Sequence, residues 1–416
     1  MKTLRIRRMI SFSMFVLVFI IAGMIMNSAN AYADNEPVVI VLDPGHGGTD
    51  MGAITKGRME KELNYRVAMA CKRELEKYEG VKVYVTRDKN EEKSLADRAA
   101  FAFDKKADLV ISLHFNASES HLLSGAETYI SSKQPLYAKA EKFALTELAL
   151  LEQYGVPIHG NFTRLNENNL DYYGIIRESA TRGMPAVIVE HCYLDVPAEE
   201  RFFDTPDDLE RFGIIDATAV AMTYGLRSEE LGIDYSKKKR NNPVLPQHVF
   251  RQDTTPPKVN VTFLDFDYNK KKALFEISVY DPECEVTSFG ISLDNGKTYS
   301  PFRNLYFQDK FEFEYIIDDC SDAKVMIGVY NAFGVFGYSE SLVLSDFVQE
   351  EVISAFASLE SPQTKFNFGD DVFEVMTDIV RQRNSKFYAL LFFLFSLFGA
   401  LFTIFLLVLK KKEIYR

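Results

Sequence analysis

The chain has 416 residues, enough for two domains with separate cores, and its 48 basic and 59 acidic side chains give a net charge of −11. Residues 1–33 hold four of the basic groups and no acid, so the remainder stands at −15 and nucleic acid is excluded as the partner. Four cysteines are too few for a disulfide framework; Cys284 and Cys320 share one segment, and either a pair or two free thiols fits there.

Lys2, Arg5, Arg7 and Arg8 precede an apolar run over residues 9–26 and the small residues Ala29 and Ala31, the pattern of a secretory signal peptide (1–33), with an uncleaved anchor helix as the alternative. Val38, Val39, Ile40, Val41 and Leu42 then predict a buried strand that breaks at Asp43-Pro44-Gly45 and delivers His46 into a glycine-rich turn. Glu60 opens a helix with an apolar stripe of Leu63, Val67, Cys71, Leu75 and Tyr78, ended by Gly80. Val81, Val83 and Val85 alternate as a strand, and Ser94 with Asp97 caps a helix running through Phe103. Residues 109–113 predict a second buried strand ending at His114, 126–130 a further sheet element, 136–151 a helix, 186–189 a short strand ending at Glu190, and 207–226 a last helix. Over residues 37–228 this alternation predicts an α/β domain with a mostly parallel sheet and helices on both faces.

Residues 229–255 lose the periodicity and read as a linker around Lys237-Lys238-Lys239-Arg240. Short alternating runs over 256–345, such as Phe275, Ile277 and Val279, predict an all-β, immunoglobulin-like sandwich. Residues 346–386 read as a partly helical stalk. Residues 387–409 are a largely apolar stretch of 23 positions without a charge, a transmembrane helix followed by Lys410, Lys411 and Lys412 in a cytoplasmic tail (410–416). The signal peptide sets the orientation: a single-pass protein of the cell membrane, with everything between the two segments outside the cytoplasm.

Three residues with acid-base or ligand chemistry, His46, His114 and Glu190, each follow a strand, and Glu60 opens the helix after the His46 loop. Parallel strands bring such ends to one edge of a sheet. Two histidines and a carboxylate holding zinc, with an open fourth position, form the arrangement of a hydrolytic site, and one further carboxylate suffices as the base.

The motifs Leu-Asp-Pro-Gly-His-Gly-Gly (42–48), Glu-Lys-Glu-Leu-Asn (60–64), Val-Thr-Arg-Asp (85–88), Ser-Leu-Ala-Asp-Arg (94–98), Ile-Ser-Leu-His-Phe-Asn-Ala (111–117) and Met-Pro-Ala-Val-Ile-Val-Glu (184–190) resemble the zinc-dependent N-acetylmuramoyl-L-alanine amidases of bacterial cell walls. The resemblance covers about 190 residues. It implies zinc held by His46, Glu60 and His114, catalysis by Glu190, and peptidoglycan as substrate, cut between N-acetylmuramic acid and L-alanine of the stem peptide. Glu62 is the alternative to Glu60. The chain departs from the family at Ala102-Phe103, where Ala-Asn is usual, and at His191-Cys192-Tyr193, where a small residue, Gly and Phe are commoner. The 75 residues between His114 and Glu190 leave room for a regulatory helix or lid, as some relatives have.

Asn116 and His159 are candidate substrate contacts, and Arg87 a residue that fixes local geometry. His191 should point away from Glu190 and be structural; Cys192 should be a packed thiol. Other functions compatible with these residues are a zinc peptidase acting within the stem peptide and a non-catalytic envelope scaffold or activator. The β-domain reads as a spacer or as a surface for an envelope protein.

Overall fold

The computed structural model describes residues 36–118, 123–236, 252–305, 308–320 and 322–347. The expected signal peptide, most of the linker, most of the stalk, the transmembrane segment and the tail lie outside these residues. Among the described residues no helix is long and apolar enough to cross a membrane.

Strand β1 (Val38–Pro44) runs into the His46 turn, and a hairpin of β2 (Ile54–Thr55) and β3 (Arg58–Met59) leads into helix α1 (Glu60–Leu75). There follow β4 (Val81–Val85), α2 (Leu95–Asp104), β5 (Leu109–Asn116), β6 (Ala126–Ile130), α3 (Leu136–Tyr154), β7 (Ile158–Phe162), α4 (Gly174–Thr181), β8 (Ala186–Tyr193) and α5 (Pro206–Tyr224). The sheet order is β4-β1-β5-β8-β6-β7. The first four strands are parallel, but β6 pairs antiparallel to β8 and β7 runs parallel to β6, so the sheet is mixed rather than uniformly directed. The described part of the segment between His114 and Glu190 builds β6, α3, β7 and α4, with α3 packed into the core.

Strand alternation divides the core in two. Ile40, Leu42, Leu109, Ile111, Val187 and Val189 face α1, α3 and α5, while Val41, Val110, Ala186 and Ile188 face α2 and α4. The stripe of α1, Leu63, Val67, Cys71 and Leu75, is buried as its spacing predicts. Ser94 caps α2 by accepting the Asp97 N–H at 3.1 Å. Beyond α5, β9 (Arg227–Ser228) and β10 (Ile233–Asp234) pair, and Leu231, Ile233 and Tyr235 pack on the same core, so residues 229–235 continue the domain where the sequence suggests linker.

The second core lies between two antiparallel sheets. One contains β11 (Lys258–Asp267), β12 (Lys272–Tyr280) and β15 (Lys310–Ile316); the other contains β13 (Val286–Ser292), β14 (Arg303–Asn304), β16 (Lys324–Asn331), β17 (Phe336–Tyr338) and β18 (Leu342–Val343). This sandwich seats on the edge strand β7. Thr163 N–H donates to Ala332 O at 2.6 Å, Ser288 Oγ donates to His159 O at 2.9 Å, and Leu165 packs with Cys284, Ala332 and Phe333. All four cysteines are free and buried.

What positions the His46 turn is a buried ion pair. Asp43, at the end of β1, is 1% exposed and accepts from Arg98 at 2.9 Å, Thr86 Oγ1 at 2.5 Å and Ser112 Oγ at 2.8 Å. Arg98 also donates to Pro44 O at 2.7 Å and His46 O at 2.5 Å, and Arg87 donates to Pro44 O and Gly45 O, both at 2.9 Å. The carbonyls that leave the sheet at the turn thus find guanidinium donors in place of water. His46 is thereby held at φ 61°, in the left-handed region that costs a residue with a Cβ about 1 kcal/mol or more.

Replacing Arg98 by Met should destabilise the domain by about 3–5 kcal/mol in urea unfolding, because Asp43 is left buried without its cation; a loss below about 1 kcal/mol would refute the clamp. Helices α1 and α5 meet at Gly213, where an added Cβ would lie 2.6 Å from Cys71 N and 2.7 Å from Val67 O. Gly213→Ala gains about 1 kcal/mol of helix propensity, yet backbone cannot yield as a side chain can. The expected net result is a loss of about 1–3 kcal/mol, measured by the same unfolding, and net stabilisation would contradict this packing.

Candidate metal centre and active site

His46, Glu60 and His114 converge where β1 ends, β5 ends and α1 begins, with one ligating atom of each within 4.8 Å of the others. Glu60 stands between the two rings: Oε2 lies 3.0 Å from His46 Nε2 and Oε1 lies 3.0 Å from His114 Nδ1. Its buried carboxylate also accepts the N–H of Ala53 at 2.9 Å, Asn64 Nδ2 at 3.1 Å and the N–H of Phe115 at 3.2 Å. Burial alone would raise its pKa, but hydrogen bonds and charge from His114 and His46 hold it well below the usual carboxylate range. Glu62 is not in the group.

Each histidine is oriented from behind. His46 donates Nδ1–H to Asp50 Oδ2 at 2.8 Å, which turns Nε2 toward Glu60. Burial pulls the His46 pKa down, and the carboxylates of Glu60 and Asp50 more than reverse this, so it is raised. The His114 ring lies against Gly45, where an added Cβ would come within 2.1 Å of the ring. Only glycine allows that approach.

Glu190 is the register partner of His114 on the adjacent parallel strand. By alternation it shares a face with Ile188, and its Oε2 is buried with no hydrogen-bond partner among the described residues. Burial, then the negative charges of Glu60 and Glu127, push its pKa well above the ordinary value. Once ionised, a carboxyl so placed is a stronger proton acceptor than an ordinary carboxylate. The structure therefore brings together the four residues that stand at element boundaries in the sequence, although β5 and β8 continue past His114 and Glu190 rather than ending at them.

Asn116 and His159 meet on a residue the sequence reading does not single out. Asn116 Nδ2 donates to Glu127 Oε1, His159 Nδ1–H donates to Glu127 Oε2 at 2.9 Å, and Tyr193 OH donates to Oε1 at 3.3 Å. Glu127 is itself the antiparallel register partner of Glu190. His159 lies on β7, outside the metal group, with its ring 5.0 Å from that of Tyr330 in the sandwich. The signal for Glu127 is an acid inside a five-residue strand whose other positions are apolar, Thr or Tyr.

His191 points to the other face of the sheet, fully buried against Phe115 and Phe212, as strand alternation requires. Cys192 packs in that same cluster rather than beside Glu190, because the register with β5 shifts between the His114 and Asn116 pairs. Arg87 fixes the turn, as expected, and Arg98 does so with it.

Residues 40–222 match the family described as N-acetylmuramoyl-L-alanine amidase. The N-acetylmuramoyl-L-alanine amidase AmiC of Escherichia coli is 36% identical over 110 residues, 26% of this chain and 26% of that protein. The sporulation-specific N-acetylmuramoyl-L-alanine amidase of Bacillus subtilis is 27% identical over 191 residues, 46% of this chain and 69% of its own length. The probable cell wall amidase LytH of Staphylococcus epidermidis is 32% identical over 176 residues, 41% of this chain and 53% of that one. The chain thus spans about a quarter, two thirds and half of these three relatives. The similarity to the N-acetylmuramoyl-L-alanine amidases therefore lies in residues 40–222.

Proposed function

We propose that this chain is a membrane-tethered peptidoglycan hydrolase that cleaves the amide between the lactyl group of N-acetylmuramic acid and L-alanine of the stem peptide. The observation that carries this reading is the convergence of His46, Glu60 and His114 within 4.8 Å, with Glu190 on the neighbouring strand. The donor set fits zinc: His46, His114 and Glu60 would hold it through two imidazole nitrogens and a carboxylate oxygen, and Asp50 backs His46 as an outer carboxylate does for a metal-binding imidazole. When bound, zinc supplies Lewis-acid polarisation of the amide carbonyl and lowers the pKa of water from 15.7 to about 7.

The chain's own residues do the rest. Glu190 accepts a proton from the attacking water as its oxygen bonds to the carbonyl carbon. As the C–N bond breaks, Glu190 returns that proton to the alanine nitrogen, which leaves as an amine. Its burial beside Glu60 and Glu127 favours holding the proton between the two steps. The Asn116–Glu127–His159 string borders this carboxyl and forms a polar wall for the substrate. The tether and the extracytoplasmic location are proposed from the apolar segments 9–26 and 387–409, which lie outside the described residues, with the sandwich as spacer.

Digestion of purified cell wall by the full chain should release intact stem peptides with a free L-alanine amino group, read by product mass; single amino acids or dipeptides would instead establish a peptidase. Glu190→Gln should lower kcat by about 10²–10⁴-fold with metal content unchanged. His114→Ala should lose both metal and activity. A His114→Ala protein that digested wall at the unmutated rate would overturn the catalytic assignment and favour a scaffold.

A further inference from the structure

A second cluster lies on the face of the sheet opposite the His114 and Glu190 side chains. Glu147 on α3, His191 on β8 and Asp216 on α5 are each 0% exposed, and one ligating atom of each lies within 4.8 Å of the others. His191 donates Nδ1–H to His114 O at 3.0 Å, and its Nε2 lies 3.0 Å from Asp216 Oδ1. As ionised carboxylates, neither oxygen of Glu147 nor Oδ2 of Asp216 meets a donor among the described residues; burial, then the charge of Asp216 and a hydrogen bond to it, push the Glu147 pKa well above the ordinary value, so in the absence of metal the two acids share a proton. The surroundings are Phe115, Phe212 and the aliphatic core between α1, α3 and α5.

Two ionised carboxylates facing one imidazole in an apolar core are costly unless a shared proton or a cation balances them. A divalent cation balances both charges and uses the unpaired oxygens and the Nε2 lone pair together. The bond from Nδ1–H to a backbone carbonyl is how metal-ligating imidazoles are ordinarily held.

We propose that Glu147, His191 and Asp216 bind a structural divalent cation, of the zinc class by their mixed nitrogen and oxygen donors, separate from the ion at His46, Glu60 and His114. It would join α3 and α5 to β8 directly beneath the strand that carries Glu190. The cation takes no part in hydrolysis, so its test reads metal rather than activity.

The full chain, purified in detergent and loaded with zinc, is dialysed against a chelator, and bound metal is counted by mass spectrometry. In a His46→Ala, His114→Ala double variant one equivalent should remain, shielded from chelator because every ligand is buried, and adding Glu147→Gln should release it. The unmutated chain should hold two equivalents, one removed readily and one only on unfolding. This second measurement stands even if Glu147→Gln does not fold. A double variant without metal, a retained ion indifferent to Glu147→Gln, or an unmutated chain that yields all its metal to chelator while folded would each overturn the proposal.

Discussion

Asp43 and Arg98 form the contact on which the rest of the site depends. A carboxylate 1% exposed is tolerated because three elements send donors to it: Arg98 from α2, Ser112 from β5 and Thr86 from the end of β4. The same guanidinium reaches the carbonyls of Pro44 and His46. One ion pair therefore does two jobs. It ties the ends of three neighbouring elements together, and it gives a backbone that has left the sheet a dry, fully bonded turn. Without that, a ligand histidine on a glycine-rich loop would sample many orientations; with it, His46 meets Glu60 on α1 and His114 on β5 at hydrogen-bond distance or one ring away.

Much of this arrangement was legible in the sequence, because it follows from periodicity. The four-residue spacing of Leu63, Val67, Cys71 and Leu75 gave α1, and apolar runs interrupted by His46, His114 and Glu190 gave three strands whose carboxyl ends coincide once they pair in parallel. Strand direction was not legible for β6, since alternation reads the same either way along a chain. Residues 158–162, Ile-His-Gly-Asn-Phe, lack an apolar run, and α4 has only eight residues, so neither announced itself. Glu127 stayed hidden for a related reason: its importance comes from cross-strand pairing with Glu190, which needs the unexpected antiparallel register. The side on which Cys192 packs depended on a register irregularity that no pattern encodes.

The reversed strands also decide where the second domain meets the first. Because β6 and β7 run against the others, their beginnings lie at the edge where the parallel strands end. Glu127 and His159 sit near those beginnings, and the sandwich seats on β7 through Ser288, Tyr330 and Ala332. The catalytic edge and the docking edge are thus joined by a single polar string from Tyr330 through His159 and Glu127 to the neighbourhood of Glu190. His159 is one residue that touches both the sandwich and the polar group beside Glu190.

The four thiols carry a consequence of another kind. Cys71, Cys192, Cys284 and Cys320 are unpaired, lie in cores, and have their pKa values raised first by burial. Oxidants and disulfides react with thiolate, which such settings keep scarce and out of reach. In the folded protein these thiols are therefore poor targets for oxidants and for disulfide exchange, and they become open to mispairing only while the cores are open.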